Sequence, residues 1–142
     1  MKLRTILLTS IITLGITITS SSQVVMDTTK RETITTLGSH SLKRIDNQLV
    51  LNYRNTEFKT IYDYRAFLIG DLKNYNSLKE AILDAFNLPK YEMKRFTLND
   101  MYFVVQKINK REVWIFIYDG NIKTSMGVWT LKSINKLLPK LD

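Results

Sequence analysis

Residues 101–130 read MYFVVQKINKREVWIFIYDGNIKTSMGVWT. Within them Val113, Ile115 and Ile117 alternate with Trp114, Phe116 and Tyr118, the two-residue period of a strand whose successive side chains point to opposite faces. Both sets are apolar, so this strand belongs near the middle of a sheet with both faces at least partly covered. Asn109-Lys110-Arg111 before it and Asp119-Gly120-Asn121 after it carry turn chemistry. Met101–Ile108 and Ile122–Trp129 read as its flanking strands, and Asn99-Asp100 separates Met101 from another, Glu92–Leu98. Strands joined by such tight turns pair antiparallel.

Upstream, Leu42–Ile45 and Gln48–Arg54 flank Asp46-Asn47, a pair that tolerates left-handed backbone angles, and so predict a hairpin punctuated by Asn55-Thr56. Phe58–Ile69 is dense in aromatic and β-branched residues and reads as a further strand ending at Gly70-Asp71. Ser77–Asn87 is the clearest helix: Ser77 and Glu80 fit a capping box, Leu78, Ala81, Ile82, Ala85 and Phe86 form one stripe, Asn87 suits a left-handed cap, and Pro89 blocks continuation. Thr130 suits the N-cap of a short C-terminal helix ending at Pro139. The expected fold is α+β: a single twisted antiparallel sheet of about six to seven strands, with one main helix packed on a face and the short C-terminal helix beside it.

At the other end, Lys2 and Arg4 precede the apolar run Ile6–Ile18, which gives way to Thr19-Ser20-Ser21-Ser22 and Gln23. A basic start, a short apolar run and a small-residue exit are the three parts of a secretory signal peptide, with Ser20 and Ser22 placed for a cut before Gln23. The run is shorter than the ~20 residues that a membrane span needs. The reading is a signal peptide over 1–22, a flexible Thr-rich lead-in over 23–39 with one edge strand near Thr33–Leu37, and one α+β domain over 40–142. The expected location is secreted or periplasmic, with no transmembrane span after cleavage; an uncleaved anchor is the alternative. Losing Lys2 and Arg4 lowers the 21 basic residues to 19 against 13 acidic ones, and the net charge from +8 to +6.

Composition closes several chemistries. The chain has 142 residues, room for one domain, and 44% hydrophobic against 24% charged residues, ordinary for a folded protein. With no cysteine there is no disulfide, thiolate metal site or thiol nucleophile, and one histidine cannot build a multi-histidine metal centre. No metal or cofactor is expected. His40 lies between Ser39 and Ser41, but this junction reads as flexible and no carboxylate is indicated to orient it as a base.

Two sets of residues remain as candidate sites. Trp114, Phe116 and Tyr118 form an aromatic stripe that is either core or an exposed binding face. Lys59, Asp63 and Arg65 form a charged cluster, with Asp63 and Arg65 on the same side of a strand. Basic residues such as Lys43, Arg54, Lys94, Arg95 and Lys110 also interleave with Tyr53, Tyr62, Tyr64, Phe96 and Tyr102. The expected function is a small exported, non-catalytic binding or accessory module of the bacterial cell envelope, meeting a protein or an anionic glycan. The alternatives are a secreted hydrolase using Asp63 or Glu57 with Arg65, and a basic-aromatic binder of anionic glycan or nucleic acid, the last disfavoured by export.

Overall fold

The structure, a computed structural model, describes residues 29–142. The expected signal peptide over 1–22 and the first residues of the expected lead-in lie outside the described residues. The chain runs β1 (Arg31–Leu37), β2 (His40–Ile45), β3 (Gln48–Asn55), β4 (Asp63–Gly70), α1 (Leu72–Ala85), β5 (Met93–Leu98), β6 (Met101–Lys107), β7 (Glu112–Asp119), β8 (Ile122–Thr130) and α2 (Leu131–Leu137). Each half is a four-stranded meander followed by a helix. Among the described residues no helix is long and apolar enough to cross a membrane.

The expectation of one sheet is overturned. There are two four-stranded antiparallel sheets, β1-β2-β3-β4 and β5-β6-β7-β8, within an α+β fold. Each strand pairs only with its chain neighbours, and α1 carries the chain from β4 to β5 without a ladder between them. The apolar inner face that the sequence argument assigned to a helix is covered largely by the other sheet. Leu42, Leu51, Phe67 and Ile69 of the first sheet join Phe103, Val105, Val113, Ile115 and Ile117 of the second in one buried core. Phe67 meets Phe103 edge-on across the interface, with ring centres 4.6 Å apart. A helix with four buried residues, Tyr75, Leu78, Ile82 and Ala85, is too narrow to cover that surface alone.

The helices close the flanks. α1 packs against β4, β5 and β6, and α2 against β1, β2 and β8. Thr35 Oγ1 donates to the Lys136 carbonyl at 3.1 Å, and the hydroxyl of the fully buried Tyr75 donates to the Pro139 carbonyl at 2.6 Å.

Hairpin turns follow their local chemistry. Asp46 and Asn47 take φ of 46° and 66°, and Asn99 and Asp100 take 49° and 61°, left-handed pairs that suit two-residue turns. The Thr-rich stretch from Arg31 is ordered as edge strand β1, paired along β2.

Three element boundaries differ from expectation. The Phe58–Ile69 strand begins only at Asp63: β3 ends at Asn55, which pairs with Asp63, so residues 56–62 form the connecting loop and leave Phe58, Ile61 and Tyr62 exposed. α1 begins at Leu72, not Ser77. The Asp71 carboxylate accepts from the Asn74 backbone N–H at 2.8 Å and caps the helix, and Gly70, at φ +95°, lets the strand turn into it. The helix ends at Phe86 in right-handed conformation, so Asn87 does not supply the expected left-handed cap.

These caps predict opposite outcomes for two substitutions. Asp71→Ala should lower unfolding stability in a urea titration by about 1 kcal/mol. Ser77→Ala, at an exposed mid-helix position, should stay within about 0.5 kcal/mol of the parent. Equal losses would restore Ser77 as the cap.

Candidate functional site

The two sheets meet at a polar seam. Among the described residues Asn55, Thr124, Ser125 and Lys107 are the buried polar side chains, and the first three lie where the end of β3 touches β8. Asn55 Oδ1 accepts from the N–H of Ser125 at 3.0 Å and of Glu57 at 3.2 Å, while its Nδ2 donates to Asp63 Oδ2 at 3.1 Å. The Thr56 N–H donates to the Ser125 carbonyl at 2.8 Å, and Tyr53 and Thr124 hydroxyls share a 2.8 Å hydrogen bond. The seam exists because β8 is irregular. Ile115 pairs with Gly127 and Phe116 with Ser125, so Met126 is an extra residue in the ladder. Gly127 sits at φ +87°, a backbone that side chains rarely adopt.

Ser125 passes the order of the seam to the outer face of the second sheet. Its Oγ accepts the Trp114 indole N–H at 2.7 Å and the Gly127 N–H at 3.0 Å. Register places three rows across this face: Met93, Gln106, Trp114 and Val128; Arg95, Val104, Phe116 and Ser125; Thr97, Tyr102, Tyr118 and Lys123. Val113, Ile115 and Ile117 turn inward to the core, whereas Trp114, Phe116 and Tyr118 turn outward. Tyr118 stacks on Tyr102 at 4.5 Å, with the Arg95 guanidinium 3.7 Å above the Tyr102 ring. Trp114 leans on Phe116 at 4.8 Å, and the Lys123 ammonium lies 4.4 Å from the Phe116 ring centre. The result is graded exposure: Phe116 is 8% exposed, Tyr118 half-buried, and Trp114 38% exposed beside the exposed Met93 and Val128.

The charged cluster is only partly assembled. Arg65 Nε donates to Asp63 Oδ1 at 2.8 Å, and this bond, with that from Asn55, holds the Asp63 carboxyl below its ordinary range. Lys59 contributes its carbonyl, which accepts from Arg54 Nη2 at 3.4 Å; its ammonium pairs with no carboxylate among the described residues. Glu57 pairs with Lys123 at 3.2 Å. Arg65 borders an open hollow of about 640 Å³ over the first sheet, floored by Thr36, Ser41, Asn52 and Ala66. No carboxylate lines it, so the acid and base of a hydrolase are not brought together there.

His40 opens β2 rather than lying in a loose segment, and its ring stands edge-on to Trp129 at 4.8 Å. Its Nε2 is buried without a partner, and burial pushes the imidazole below its ordinary 6.5 against the pull of the Leu37 and Met126 backbone. Among the described residues no group of His, Asp and Glu is arranged to hold a metal ion.

The chain matches no protein-family model, no curated protein and no solved structure, so no residue role comes to it from elsewhere.

Sequence reasoning named the outward rings and the Asp63–Arg65 pair but missed what joins them. Asn55 and Ser125 link the two sets, Asp63 on one side and Trp114 on the other. A signal was present: a glycine inside a strand, as at 127, marks a bulge or close backbone approach.

Ser125→Ala should cost about 1–3 kcal/mol, because it strips the acceptor from the Trp114 and Gly127 N–H groups. It should also loosen Trp114, read as a red-shifted, more readily quenched tryptophan emission; unchanged stability and emission would show the seam to be dispensable. A second outcome concerns pH. Because the folded His40 holds its proton less tightly than the unfolded chain does, stability rises with pH through the window just below 6.5 and is lost as pH falls through it. Thermal unfolding followed from neutral to mildly acidic pH should therefore fall more steeply for the parent than for His40→Gln, and parallel curves would exclude this group as the cause.

Proposed function

We propose that the protein is a small exported, non-catalytic binding module that meets an acidic protein partner through the outer face of its second sheet. The observation that carries this reading is Trp114: exposed on a sheet face that no helix covers among the described residues, yet with its N–H already satisfied by Ser125. An aromatic anchor held rigid before contact loses little freedom on binding, and such residues dominate protein interfaces. Val128 lies beside Trp114 on one side and Met93 beyond Gln106 on the other; Arg95, which makes no ion pair among the described residues, adds a positive charge that complements an acidic rim.

The ring arrangement favours a protein over a base or sugar ring. Tyr102 has Arg95 over its ring and stacks on Tyr118, and Phe116 has Trp114 and Lys123 against it, so these rings have less free face for stacking ligands. The hydrolase alternative has less support, since Asp63 is held ionised by Arg65 and Asn55 and lines no cleft with a second carboxylate. Export rests on the leader sequence at residues 1–22 alone.

A photoreactive residue placed at position 114 or 128 in the native host should crosslink to the same acidic protein, and one at Leu68, on the outer face of the other sheet, should not. Arg95→Glu should abolish that crosslink without lowering thermal stability. Crosslinks absent from 114, or equal from 68, would remove the reading. Mass spectrometry of the isolated protein should find Gln23 at its start; an intact Met1 on cytosolic protein would remove export.

A further inference from the structure

The second concentration of unusual chemistry lies away from the aromatic face, where the end of α1, the β6–β7 turn and the start of α2 converge. Two adjoining clefts sit there and share Lys110. The larger, about 530 Å³, is lined by Phe86, Asn87, Lys110, Arg111, Thr130, Leu131 and Lys132. The smaller, about 400 Å³, is lined by Leu88, Lys90, Lys107, Asn109 and Lys110. Together they gather five cations and no carboxylate. Lys90, Lys110, Arg111 and Lys132 make no ion pair among the described residues, so nothing there offsets their shared charge.

Lys107 makes the imbalance sharper. It is only 4% exposed and has no carboxylate partner. Its ammonium donates to the carbonyls of Phe86 and, at 3.4 Å, Lys110, and lies 5.3 Å from the Phe86 ring centre. Carbonyl dipoles accept from it but leave its net charge uncompensated in a poorly solvated place, where a positive field reaches further than it does in water. Glu112, which follows the turn, is held by Asn109 at 2.6 Å and lines neither cleft. The walls are not polar throughout: the Phe86 ring and Leu131, 48% exposed, put apolar surface beside the free cations.

We propose that these clefts bind an anionic amphiphile, its phosphate or carboxylate head among Lys110, Arg111 and Lys132 and its apolar body against Phe86 and Leu131. Arg111 offers a planar fork for two oxygens, and the lysines add point charges. The site shares no lining residue with the Trp114 row, although Thr130 borders it beside that face, and it stands or falls independently of that reading.

Calorimetric titration of the full chain tests this with dodecyl phosphate below its micellar concentration, inorganic phosphate and dodecyl maltoside. Dodecyl phosphate should bind at least about tenfold more tightly than either of the others, because each lacks one half of the required chemistry. Replacing Lys110, Arg111 and Lys132 together by Ala should weaken dodecyl phosphate by at least about tenfold, as should Leu131→Asp; all four positions are exposed, so the core is untouched. Equal binding of dodecyl maltoside or of inorganic phosphate, or an unaffected triple variant, would overturn the proposal. Sedimentation with phosphatidylcholine vesicles, with and without phosphatidylglycerol, then separates the sources. A phosphatidylglycerol-dependent shift lost in the triple variant assigns the site to membrane headgroups. Dodecyl phosphate binding without that shift assigns it to a soluble amphiphile.

Discussion

The hydrogen bonds that join Asn55 and Thr56 to Ser125 across the two sheets are the constraint on which the rest of this molecule depends. Two meanders that pair only internally have no ladder to fix how one sits on the other, and apolar packing is not directional. A buried amide with both ends committed is directional. Asn55 holds the backbone of β8 at one side and Asp63 at the other, so one side chain ties the contact between the sheets to the start of β4 and to the Asp63–Arg65 pair. Ser125, positioned by the same contact, holds Trp114. The candidate binding face is thus ordered from inside the seam.

Much of the local structure was legible from residue order. Alternation in Val113–Tyr118 and turn pairs such as Asp46-Asn47 and Asn99-Asp100 identified strands and hairpins because both signals act within a few residues. The division into two sheets was not legible. Alternating apolar faces say that a strand needs cover, and a second sheet satisfies that demand as well as a helix does. The start of α1 was missed for a related reason: Ser77 and Asp71 are both competent caps, and only the position of Gly70 after β4 decides between them.

The candidate site divides in the same way. The outward stripe of Trp114, Phe116 and Tyr118 followed from periodicity, but its graded exposure depends on neighbours across the sheet, Tyr102, Arg95 and Lys123, which no local pattern connects. Lys59 looked close to Asp63 and Arg65 along the chain, yet it falls in the loop that precedes the strand. The cations at 110, 111 and 132 come together only because a turn and a helix start meet in space.

The last helix lies against the first strand, with Thr35 bonded to the Lys136 carbonyl and Tyr75 to that of Pro139. A nascent polypeptide emerging residue by residue can zip up its hairpins early, but it cannot seal its interior until positions 131–139 have cleared the ribosome. Closure of the core therefore falls to the last dozen residues of the chain, however early the hairpins before them form.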